Sequence, residues 1–174
     1  LPTGLAMTAM GQTLWNAAAD FDILADDYFA SAFGTDGAAC RDYLERLTEL
    51  FDPVYIRGEK GWADPEQAQR FAKVPGLIQS FMPVIDANLD SDAPCHRASW
   101  FYLKHHAQLA LGLARAFHAK ALGQDHEARR EWESTKQLAW DKEPALHPVL
   151  DTWLFAMTAL EAKFVPGKGD GAPA

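Results

Sequence analysis

The chain has 174 residues, close to half of them apolar, and a formal net charge of −8. That is enough for one domain with its own hydrophobic core. The acidic balance argues against a nucleic-acid surface, which needs clustered Lys and Arg, and no apolar run approaches the roughly 20 residues of a bilayer span.

Thr3 to Asn16 carries Met7, Met10 and Leu14 at helical spacing, weakened by Gly4 and Gly11. Gly11 suits a close approach to a neighbouring element. Asp20 or Asp22 caps a second helix whose apolar face is Phe21, Leu24, Ala25, Tyr28, Phe29 and Ala32, and Gly34 closes it. A turn over residues 35–37 leads to the clearest amphipathic helix, with Cys40, Tyr43, Leu44, Leu47, Leu50 and Phe51 on one side. Pro53 marks its end.

Asp52 to Ala63 reads as one long irregular connection. Asp64, Pro65 and Glu66 then supply an N-cap, a first-turn proline and a first-turn acid. A short helix to Lys73 follows, with a restart at Pro75 and a kink or break at Pro83. The longest helical pattern, near 95–122, has two apolar stripes. One contains Trp100, Leu103, Ala107, Ala110, Leu111, Ala114 and Phe117; the other contains Tyr102, Leu109, Leu113 and Ala116. A helix so apolar belongs at the centre of the fold. Asp125 opens the next helix, Pro144 and Pro148 bracket a break, and Val149 to Phe164 makes the last. In that helix Leu150, Trp153, Leu154, Met157, Leu160 and Phe164 are expected inward.

No segment shows strand alternation with hairpin turns. The expectation is an all-α, single compact bundle of about six to eight helices over residues 1–165, followed by a flexible tail at 166–174. No signal peptide is visible, and the start at Leu1 suggests part of a longer polypeptide.

Candidate chemistry is sparse. His105 and His106 are adjacent and diverge on a helix, and no His-Glu-x-x-His or Glu-x-x-His spacing occurs. The histidines therefore read as structural or surface residues, and no metal or cofactor is expected. Pro144 argues against Glu143 and His147 sharing a helical face. The acids Asp20, Asp22, Asp26 and Asp27 are explained by helix-start electrostatics rather than by a carboxylate pair. No serine has a nucleophile-elbow setting, and no catalytic constellation stands out. Cys40 and Cys95 read as two free, partly buried thiols. The candidate substrate-binding residues are Tyr55, Arg57 and Trp62, which could give a sugar ring a stacking platform and a charged donor. Against that stands Trp62 as a plug at the bundle edge.

The segment from Leu1 to Gly34, through Gly4, Leu14-Trp15-Asn16, the Asp20-to-Asp22 step, Tyr28 and Ala32-Phe33-Gly34, resembles a junction in certain bacterial glycoside-hydrolase-like proteins. There a catalytic barrel gives way to a helical C-terminal domain of unknown function, in proteins distantly akin to α-glucuronidases. The resemblance implies an accessory helical domain that packs on a catalytic barrel of the same polypeptide and lines its substrate cleft. Carbohydrate and a second copy of the chain are further candidate partners. The barrel carboxylates that would cleave a sugar have no counterpart here. An autonomous helical interaction module is the alternative reading.

Overall fold

The computed structural model describes residues 4–165, so the tail expected at 166–174 lies outside the described residues. Within them the fold is an all-α bundle without a β-strand. The helices are α1 (Leu5–Trp15), α2 (Phe21–Phe33), α3 (Gly37–Leu50), the single turn α4 (Pro53–Ile56), α5 (Pro65–Asn88), α6 (Pro94–Ala121) and α7 (Asp125–Leu146). A π-helical segment, Leu154–Leu160, then runs into the short α8 (Glu161–Phe164). Among the described residues no helix is long and apolar enough to cross a membrane.

Helix α6 is the axis. It packs most extensively against α5 and α7 and also contacts α2. Trp100, Leu103, Ala107, Ala114 and Phe117 on its first stripe are buried, whereas Leu111 is only half-buried. Trp100 donates from Nε1 to the Phe33 carbonyl at 3.1 Å, which ties α6 to the end of α2.

The capping chemistry matches the sequence reading. Asp20 Oδ1 accepts from the amides of Asp22 and Ile23, and Asp64 Oδ1 accepts from those of Glu66 and Gln67. Gly34 has φ of 72°, a left-handed value that suits glycine. A 3-10 turn at Gly34–Asp36 then feeds directly into α3. Gly37 sits so close under α2 that a Cβ there would fall on the Phe29 carbonyl oxygen.

Other elements depart from expectation. Pro75 and Pro83 do not divide α5, which is continuous. Both prolines lie on its solvent face, where water can serve the carbonyls they leave without an amide partner. The opposite face, with Phe71, Val74, Ile78 and Ile85, is buried and holds the helix together. The connection at 52–63 contains α4, because Asp52 caps it and Pro53 occupies its first position. Pro144 lies inside α7 near its end, so Glu143 and His147 do share a face: His147 Nδ1 is 2.9 Å from Glu143 Oε1. Gly11 has nothing within contact of a would-be Cβ, and no residue of α1 is buried.

The last helix departs most. Leu150, Leu160 and Phe164 are buried as expected and Met157 is half-buried, but with the i→i+5 winding Trp153 and Leu154 face solvent, and Thr152 and Ala156 are buried in their place. Glu161 is also buried there. Trp132 Nε1 donates to its Oε2 at 2.9 Å, and Lys136 Nζ lies 3.0 Å from the same oxygen. Both thiols are free, but they differ: Cys40 is buried in the core and Cys95 is exposed in the first turn of α6.

Candidate functional site

Tyr55, Arg57 and Trp62 lie together but do not form an open platform. Tyr55 is fully buried, and its hydroxyl donates to the Trp62 carbonyl at 2.8 Å. Its ring meets Trp62 edge-on, with centroids 5.4 Å apart. Trp62 is half-buried and covered by the Lys120 ammonium, 4.8 Å from the ring centroid. Arg57 points outward and pairs with Glu59. The indole thus plugs the gap between the 52–63 connection and the end of α6, and only Arg57 of the three is well exposed.

The larger concavity lies elsewhere. A half-open cavity of about 660 Å³ is lined by α2, α3 and α6, by the 147–151 link and the π segment, and at its edges by Leu5 of α1 and Leu146 at the end of α7. This is within the size range of small-molecule sites. Its wall is mostly aliphatic and aromatic: Phe29, Leu44, Leu109, Leu113, Leu150 and Phe155 all contribute. The second stripe of α6 therefore faces a hollow as well as protein.

His106 belongs to that stripe. It stands four residues after Tyr102 and three before Leu109, and all three line the cavity. Its Nδ1 is buried and has no hydrogen-bond partner among the described residues. Neighbouring His105 turns away and approaches Gln108 Oε1 at 3.2 Å.

The mouth is polar. Arg41, on α3, is held by three carboxylates at 2.7 Å each: Asp22 and Asp26 of α2, and Glu45 one turn along its own helix. Arg41 and Glu45 both line the cavity. The four groups clamp α2 to α3 and leave the rim net negative. Asp22 and Asp26, which read from sequence as helix-start acids, are also this clamp.

Burial in the apolar wall disfavours the imidazolium and pushes the His106 pKa down to about 4. The ring is neutral in the folded protein over the interval where the same group in the unfolded chain, with its ordinary value of 6.5, takes up a proton. The unfolded state binds more protons there, so stability falls as pH drops from about 6.5 to about 4, and this loss levels off below that. Each unit is worth about 1.4 kcal/mol, which makes the loss roughly 2 kcal/mol by about pH 5. Urea unfolding near neutrality and near pH 5 should show that decline in the native chain and a shallower one in His106→Phe. Parallel declines would assign the effect to other groups.

Among the described residues, no cluster of three or more His, Cys, Asp and Glu side chains could hold a metal ion. The other conspicuous surface is α1 with the start of α2. Met7, Met10, Leu14, Trp15, Phe21 and Ile23 are all exposed there, Trp15 to 92%. Helix α1 touches the rest of the fold mainly through α2, including the Gly4 amide donating to the Tyr28 hydroxyl at 2.6 Å.

The sequence directed attention to the Tyr55 connection and away from His106. A usable signal was present: a histidine at helical register within an apolar stripe. No family model matches the chain, no curated protein is detectably similar to it, and no solved structure matches its fold.

Proposed function

We propose that this chain is an accessory helical domain that docks on another body through α1 and the start of α2. Following the resemblance at Leu1–Gly34, that body is the catalytic barrel of a carbohydrate-active enzyme in the same polypeptide. The observation that carries the reading is α1 itself. It is apolar on much of its circumference, yet it buries no residue. A helix of that composition is normally covered, and contiguous exposed apolar surface marks an interaction site. Of the apolar residues of α1, Leu5 is half-buried against the bundle core, while Met7, Met10, Leu14 and Trp15 remain exposed. An autonomous interaction module would use the same face for a separate protein.

The coding sequence upstream of Leu1 separates the two. A barrel encoded there supports the accessory-domain reading, and its absence removes it. In the polypeptide carrying both parts, the triple variant Met10→Ser, Leu14→Ser, Trp15→Ser should release the helical domain. Release is read as a separate thermal transition and as new protease cleavage between the two parts. In the 174-residue chain alone, the same variant should leave stability within about 0.5 kcal/mol per site, as for ordinary surface positions. A joint melt unchanged by the triple variant would show that this face is not the dock.

A further inference from the structure

We infer that the cavity over the second stripe of α6 is a binding site for an uncharged small molecule with a bulky apolar body and a single hydroxyl group. Three observations converge. First, a hollow of about 660 Å³ has a wall dominated by Leu and Phe, so ligand burial is driven by apolar area. Second, the neutral His106 imidazole on that wall has a nitrogen with no hydrogen-bond partner. A neutral imidazole offers one donor and one acceptor, and a hydroxyl is the small group that can answer either tautomer. A buried polar atom without a partner is costly; Nδ1 is sealed against the protein as the ring stands, so a ligand hydroxyl meets it on rotation of the imidazole toward the hollow and gains affinity and orientation there. Third, the mouth discriminates by charge. Asp22, Asp26 and Glu45 surround the single Arg41 guanidinium and accept from three of its five N–H donors, with a fourth directed at the Asp22 carbonyl. An alkyl carboxylate would meet a net negative rim with no free cation, whereas an alcohol would not be repelled.

The geometry of the last segment fits the same role. Leu154–Leu160 winds as a π-helix and presents Phe155 to the cavity. Such stretches are rare and concentrate at functional sites. The cavity adjoins the docking face through Leu5 and Phe21, but Met10, Leu14 and Trp15 do not line it, so the two readings are tested by different residues.

The test uses the full 174-residue chain and the uncharged dye Nile red, displaced by decan-1-ol, its methyl ether or decanoate. Saturable binding of one dye per chain is expected, with decan-1-ol displacing it at a concentration about tenfold below either competitor. His106→Phe should remove that preference for the alcohol while dye binding persists, which shows the cavity intact. Thr48→Trp, an exposed position on the cavity lip, should block dye and alcohol together without loss of fold. The α1 triple variant should bind as the native chain does, so failure of the dock and failure of this site are separable. The inference is overturned by non-saturable dye binding, by decanoate competing as well as the alcohol, or by an alcohol preference that survives His106→Phe. A stoichiometry of one dye per two chains would instead assign the hollow to a second copy.

Discussion

Trp100→Ala is expected to lower the free energy of unfolding by about 3–5 kcal/mol, the range for deleting a large aromatic ring from a core. The indole is completely buried. It meets Phe33 edge-on at 5.1 Å between centroids and Phe81 at 6.3 Å, so three elements lose their common contact at once. The change also strips the Phe33 carbonyl of the Nε1 donor, at the point where α2 stops. Trp100→Phe separates the two contributions, because it keeps an aromatic ring and removes the N–H. Its loss should be smaller, about 1–2 kcal/mol. Since domains of this size have only about 5–15 kcal/mol of stability, the alanine variant should be visibly compromised in guanidinium unfolding. A loss below about 1.5 kcal/mol would mean that the site collapses readily and that α2 does not depend on it.

The second large effect is expected at Glu161. This carboxylate is buried, yet it lies at the start of α8 where the chain finishes packing against α7. It accepts from Trp132 Nε1 and pairs with Lys136. Glu161→Ala leaves the completely buried Trp132 N–H without its acceptor and removes a charge partner from Lys136, whose own side chain is largely covered. Losses of this kind run to about 3 kcal/mol. Glu161→Gln retains an oxygen for the indole and gives up only the charge, so it should cost clearly less. Equal losses for alanine and glutamine would show that the ion pair, rather than the indole hydrogen bond, secures the C-terminal segment.

How much of this was legible in the sequence depends on the range of the interaction. The caps at Asp20 and Asp64, the stop at Gly34 and the central place of α6 follow from rules acting within one turn or one helix, and they could be read directly. The prolines of α5 could not. Their effect depends on which way they face, and that is settled by packing against α6. In the last helix Leu150, Leu160 and Phe164 are inward as the spacing predicts, but Trp153 and Leu154 are not, for a related reason: π winding preserves composition but rotates the face. The hollow was the least legible feature. Tyr102, His106, Leu109 and Leu113 look like core positions on a helix, and only the placement of α3 and the C-terminal segment leaves a gap over them. The acids around Arg41 show the same limit, since the fifteen or more residues between partners conceal a clamp that local electrostatics explains only in part.

The unequal setting of the two cysteines has a practical consequence for solution work. Only a thiolate attacks maleimides, iodoacetamides or disulfides. Burial pushes the Cys40 thiol up to about 12, and no accessible surface remains to it, so in the folded chain it is chemically silent near neutral pH. Cys95 is exposed beside the first turn of the central helix. The folded 174-residue chain therefore has a single addressable thiol, one dye or spin label per chain without mutagenesis. Uptake of a second equivalent reports that the core around Cys40 has opened.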